Sequence, residues 1–113
     1  MNLARSSNEF GFDLYRRLRQ TPGNLVISPA SITTALAMTW GGARGETATQ
    51  MRHVLHLEGT ADEVLATSGQ HLRSLQDPSS PALLRIANRI FGEATYELLH
   101  AYVELTRETF DAP

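Results

Sequence analysis

The chain has 113 residues, of which 10 are basic and 12 acidic, for a formal net charge of −2, and 42% are hydrophobic. That length suits one domain with a single core, and the balanced charge gives no pull towards nucleic acid or an anionic membrane surface. Cysteine is absent, which excludes a disulfide frame, a thiolate metal site and a cysteine nucleophile.

The first residues lead into a charged amphipathic stretch instead of an apolar run with a cleavage site, so no signal peptide is expected. Residues 8–19 are predicted to form a helix with Asn8 as its cap. Phe10, Leu14 and Leu18 make its apolar stripe, with Phe12 and Tyr15 beside them. Arg16, Arg17 and Arg19 gather at its end, where cations complement the helix dipole. A solvated helix end explains them better than a phosphate site does. Thr21-Pro22-Gly23 is a turn.

The central stretch is Asn24–Leu57, and no charged residue occurs between Arg19 and Arg44. Pro22, Asn24, Pro29 and two glycines interrupt that interval, which argues against a membrane span. Leu25–Ile27 reads as a short strand. Ser28 then caps a helix, and Pro29 takes its first position, where a missing N–H costs nothing. Ile32, Leu36 and Trp40 recur at helical spacing, and Ala35, Ala37 and Met38 spread apolar surface round the cylinder. Such a helix belongs in a protein's interior. Gly41-Gly42 is expected to end it through left-handed backbone. Thr47 with Gln50 reads as a capping box opening the next helix, whose inward face is Met51, Val54 and Leu55, with His53 beside them.

Gly59 marks a turn, and Thr60 with Glu63 gives a second capping box for a helix reaching about Gln76. Val64, Leu65, Leu72 and Leu75 are its apolar set. Gly69 in its middle weakens it by about 1 kcal/mol against alanine, making it the least secure helix. Asp77–Pro81 is a loop. In Leu83–Gly92 the period changes to two: Leu84, Ile86, Asn88 and Ile90 share one face, and Arg85, Ala87, Arg89 and Phe91 the other, as in a strand. A last helix is predicted to begin at Ala94 or Thr95 and to carry Leu98 or Leu99, Tyr102, Leu105 or Thr106, and Phe110 on one face.

The succession NEFGFDLYRRL, NLVISPASI, GGARGETATQ and ANRIFG, with YELLHAY following and Phe110-Asp111-Ala112 at the end, resembles the N-terminal part of the serpin family of serine protease inhibitors. The similarity runs in order from Asn8 to Ala112. It implies an α+β fold, present here as the N-terminal helices with one long strand of a central sheet. The fold is incomplete, with residues 1–113 one part of a serpin domain. In serpins an exposed loop baits a protease and, once cut, inserts into that sheet as a new strand. The resemblance places Asn24, Ser28, Pro29 and Ser31 beneath the point where the sheet opens, and Ile86, Asn88, Ile90 and Phe91 on a strand that slides. It implies a serine or cysteine protease as the complete protein's target and the C-terminal part of the fold as this chain's structural partner. It also implies an extracellular or cytoplasmic location, between which the sequence does not choose. No segment here matches the reactive centre, so the chain alone is expected to inhibit nothing. The basic glycosaminoglycan site of some serpins is not carried over, because the corresponding helix offers only His71 and Arg73.

Read without the family, the strand deficit makes the same point. A strand without neighbours leaves its ladder unpaired, and so the isolated chain is expected either to self-associate or to remain in a loosely folded helical state.

No enzymatic constellation stands out, and no cofactor or metal is expected. Ser28 and Ser31 lack a nucleophile elbow and a spaced His/Asp pair. His53 and His56 lie three apart without the glutamate of a zinc motif. GGARGET precedes a helix but lacks the phosphate-loop lysine. Two other classes compete: a helix–turn–helix DNA-binding module over Ser28–Leu55, disfavoured by its apolar first helix and the slight negative charge, and an all-helical interaction domain, which would need residues 83–91 to be helical.

Overall fold

The computed structural model describes residues 2–113, which form five helices and, among them, no hydrogen-bonded strand. The first, α1, is Leu3–Leu18. It starts five residues before the expected Asn8 because Asn2 supplies the cap, its side chain accepting from the Arg5 amide at 3.2 Å. Leu3 then joins Phe10 on the buried face. Arg16 and Arg17 occupy the last turn as expected.

Helix α2, Pro29–Gly42, is laid out as its sequence suggests, with Ser28 Oγ accepting from the Ser31 amide at 3.4 Å and proline opening the first turn. It touches each of the other four helices. Thr33, Thr34, Ala37, Met38 and Trp40 are buried, and Ile32 and Leu36 are partly so. A helix surrounded on this many sides needs the uncharged composition read from residues 20–43. Its closest neighbour is α1, where a Cβ at Gly11 would stand 2.6 Å from Pro29 Cγ. That gap is too small for any side chain, so glycine is what allows the two axes to approach.

The end of α2 corrects an expectation. Gly41 and Gly42 both lie inside the helix, and the chain leaves through extended Ala43. The glycines serve packing instead: a Cβ at Gly42 would meet the Tyr102 ring at 2.8 Å, and one at Gly41 would crowd Leu65 and Leu105. The Arg44 guanidinium satisfies the carbonyls left over, donating to Gly41 at 3.0 Å and Ala43 at 2.7 Å. Left-handed backbone appears later, at Gly45 with φ +59°.

Helix α3, Gly45–Val54, therefore begins before Thr47, which falls inside it and cannot cap it. Gln50 donates to the Glu46 carboxylate at 3.0 Å rather than reaching back to a cap. Leu55 is buried and Met51 partly so, but Val54 and His53 face solvent. Trp40 Nε1 donates to the Ala48 carbonyl at 2.9 Å, locking α3 against the end of α2.

Helix α4, Ala61–Leu75, carries the expected capping box: the Glu63 amide donates to Thr60 Oγ1 at 3.3 Å and the Thr60 amide to the Glu63 carboxylate at 2.8 Å. Val64, Leu65 and Leu72 are buried. Gly69 has a packing reason, since a Cβ there would stand 2.7 Å from the Thr109 carbonyl of α5, His100–Phe110. That last helix begins later than Ala94 or Thr95. The Thr95 amide donates to the Glu93 carboxylate at 3.0 Å, closing a turn that diverts residues 93–96 from the helix. Tyr102 Oη, donating to the Met38 carbonyl at 3.1 Å, ties α5 back to α2. No helix among the described residues is long and apolar enough to cross a membrane.

Two expected outcomes follow from this packing. Gly69→Ala should lower stability by about 1–3 kcal/mol through overpacking against a backbone carbonyl, outweighing the gain of about 1 kcal/mol in helix propensity. Urea unfolding followed by circular dichroism tests this, and a raised midpoint would contradict it. The hydrogen bonds from the Thr60 amide and hydroxyl hold the Glu63 carboxyl below the usual carboxylate range. Its contribution is thus complete above the ordinary value of about 4.3 and is lost as pH falls through the depressed folded value. Acid titration of helicity should show this loss in the native chain and not in Glu63→Gln.

Candidate functional site

Two parts of the chain hold the residues singled out in the sequence: the entry to α2 and the stretch 83–91. At the entry, Ser28 Oγ accepts from the Ser31 amide and donates to Ser31 Oγ at 3.0 Å, so the two hydroxyls form a single unit. Both are exposed, as is Asn24, while Pro29 is half-buried on Gly11. An open cavity of about 400 Å³ lies beside them, lined by Ser7, Asn8, Ile27, Ser28, His71 and Leu75 among others. Residues 25–27, expected as a short strand, make no ladder, and Val26 is 96% exposed.

The expected strand at 83–91 likewise has no hydrogen-bonded partner strand, and so it is not a β-strand here. Its period of two is realised as burial only from Arg85 to Phe91, because Leu84, expected on the inner face, is 45% exposed. Ile86, Asn88 and Ile90 are half-buried, with the two isoleucines packed on the helical core, whereas Arg85, Ala87, Arg89 and Phe91 are exposed. A helix would have placed Ile86 and Ile90 together and Asn88 opposite, and the all-helical reading fails on this point. The segment is held by the Gln76 side chain at the end of α4, whose Oε1 accepts from the Ile86 amide at 2.8 Å. Asn88 Nδ2 is buried without a hydrogen-bond partner, a costly state for an amide donor. On the outer side Leu83 and Phe91 are 80% and 87% exposed, with the Arg89 guanidinium 5.8 Å from the Phe91 ring centroid.

The remaining candidates are placed differently from their sequence pairing. His56 does not join His53. Its ring lies between two α1 carboxylates, with Nε2 2.8 Å from Asp13 Oδ2 and Nδ1 3.5 Å from Glu9 Oε2. The hydrogen bond from His56 holds the Asp13 carboxyl below its ordinary range. Arg52, the cation that a DNA-binding reading needs, sits 5.0 Å from the Trp40 ring centroid and donates to the Gly59 carbonyl at 2.6 Å. With α2 enclosed and Arg52 engaged, α2–α3 offers no recognition surface of that kind. Sequence reasoning missed Gly11 and Gln76. A glycine among helix formers at position 11 was the available signal for the first, but nothing local marks Gln76.

A family model described as Serpin (serine protease inhibitor) matches residues 5–113. The chain is 38% identical over 113 residues to a leukocyte elastase inhibitor of Bos taurus, covering 97% of this chain and 29% of that protein. It is 40% identical over 104 residues to an uncharacterised serpin-like protein of Thermococcus kodakarensis, covering 91% of this chain and 24% of that one. Among solved structures, that of a cleaved Serpin 42Da superposes with a TM-score of 0.84 at 37% identity, covering 96% of this chain and 29% of the other. The chain thus spans less than a third of the length of these relatives.

Ser28→Ala removes the cap of α2 together with the Ser31 hydroxyl's partner. It should cost about 0.5–2 kcal/mol, with Ser28→Asp retaining most of the stability. Matched urea curves for the two variants measure this, and equal midpoints would remove the cap from the account.

Proposed function

Since the chain belongs to the serpin family, we propose that it is the N-terminal part of a protease inhibitor that acts as a suicide substrate by inserting its cleaved reactive loop into a central sheet. The observation that carries this reading is the segment 83–91, which from Arg85 onward keeps a strand's alternation of burial while lacking any strand to pair with. In this reading Ile86, Asn88, Ile90 and Phe91 belong to a sheet strand. The hydroxyl pair Ser28–Ser31, with Asn24 and Pro29, lies beneath the place where that sheet parts. The cap geometry suits such a pivot, because Pro29 on Gly11 fixes the start of α2 while the hydroxyls stay exposed to whatever lies above.

The target is a serine or cysteine protease engaged by the complete protein. The driving force is the strain released on insertion, and the complete protein is an inhibitor, not an enzyme. Relatives named leukocyte elastase inhibitor favour elastase-like proteases for the first trials. Residues 1–113 contain no segment matching the bait loop, so in this reading they supply the pivot and one strand while the remainder supplies the loop and the strands it joins. That remainder is the chain's natural structural partner, and without it the unpaired edge recruits other copies.

Incubation of the purified 113-residue chain with trypsin-, chymotrypsin- and elastase-like enzymes should give no SDS-stable complex. A stable complex would place the bait within these residues and overturn the assignment. Sedimentation of the same chain should show association that weakens when Phe91 and Leu84 are replaced by lysine, since edge charges block strand pairing. A strict monomer with a sharp cooperative melt would contradict the role given to 83–91.

A further inference from the structure

We propose that the recess between the end of α2, the starts of α3 and α5, and residues 96–99 binds a small monocarboxylate with a hydrocarbon body. The recess has a volume of about 520 Å³, inside the range of roughly 300–1,000 Å³ usual for small-molecule pockets. Met51, Leu98, Leu99 and the rings of Tyr96 and Tyr102 make its wall mostly apolar. That wall is held in place without a ligand. Tyr102 Oη donates to the Met38 carbonyl at 3.1 Å, its ring lies against Gly42, and the turn closed by the Glu93 carboxylate keeps residues 96–99 outside α5. The recess lies at the opposite end of α2 from Ser28, so it does not depend on the inhibitor reading.

The polar end is Arg44. Its Nη1 donates to the Gly41 carbonyl at 3.0 Å and the Ala43 carbonyl at 2.7 Å. Those bonds fix the guanidinium, and Nε and Nη2 remain for the two oxygens of a carboxylate. Among the described residues, carboxylates pair with Arg5, Arg16, His56 and His100, and none pairs with Arg44. The start of α3 at the same corner has no side-chain cap, so its first-turn amides add to the positive potential.

Glu97 also lines the recess, and as an exposed carboxylate it opposes an anion. Burial pushes the Tyr102 phenol up, which keeps it neutral. The two ends of the recess therefore ask for different chemistry. A bare phosphate or sulfate would leave the apolar wall uncovered, and a plain hydrocarbon would leave Arg44 unserved. Tyr96 and Leu99, 74% and 76% exposed, offer the apolar area that a hydrocarbon body would take from water.

Titration of the full methyl-labelled chain with octanoate, followed by NMR, tests the site. The methyls of Met51, Leu98 and Leu99 should shift saturably, while those of Val64 and Leu72, buried elsewhere, should not move. Octanol and octylammonium should bind more weakly than octanoate. Arg44→Gln should weaken octanoate binding roughly tenfold, as expected for a lost charge-assisted hydrogen bond. Tyr96→Ala should weaken it several-fold. Since Arg44 also serves carbonyls at the end of α2, the exposed Glu97→Lys supplies the same test of sign without touching that cap, and it should tighten binding. Shifts that are absent, that spread equally to Val64 and Leu72, or that octylammonium produces as readily as octanoate overturn the proposal, as does unchanged affinity in Glu97→Lys.

Discussion

The enclosure of α2 by the other four helices is the constraint from which the rest follows. A helix in that position can carry no charge on its packed faces, must leave room for close neighbours and needs its two ends capped. Each demand is met by identifiable residues. The uncharged stretch supplies the surface, Gly11, Gly41 and Gly42 supply the space, and Ser28 and Arg44 close the ends. Full burial of large apolar side chains such as Met38 and Trp40 stabilises by about 1.5–3 kcal/mol each, and that gain depends on the glycine contacts, because packed interiors tolerate few misplaced atoms.

Against this enclosed helical body stands a segment that is only partly covered. Residues 83–91 have one side settled on the core and the other open, and their main chain is anchored by a single side-chain amide, that of Gln76. The contrast matters for how the chain is understood. The helices alone would describe a small bundle, but a bundle has no use for an alternating segment with exposed Leu83 and Phe91. The family match explains the combination, since relatives at 34–40% identity are more than three times as long as the part aligned here.

Signals confined to a few adjacent residues were legible in the sequence. Ser28-Pro29 and Thr60 with Glu63 are local caps whose donors and acceptors lie within one turn, and both form. The alternation at 83–91 was legible as burial from Arg85 onward, but the strand itself does not form, because no partner strand occurs among the described residues. Thr47 with Gln50 has the same outward pattern as Thr60 with Glu63 and fails, because Gly45 turns the chain into α3 two residues sooner. The start of α1 was missed since one buried residue, Leu3, made it favourable, and that burial is tertiary. The glycines of α2 read as a helix stop and that of α4 as a weak point, because their partners, Tyr102 and Thr109, come from a helix far along the chain. His56 was legible only as a neighbour of His53; its carboxylates lie on another helix.

The orphaned amide of Asn88 has a consequence for assembly. Greasy surface by itself is indiscriminate and would welcome any extended chain sliding along it. The Asn88 side-chain amide differs, because its buried Nδ2 has no partner among the described residues and a carbonyl or carboxylate brought to that spot would satisfy it. A strand laid alongside and shifted by one residue would turn its other face inward, so a donor at this position would favour one alignment over its neighbours.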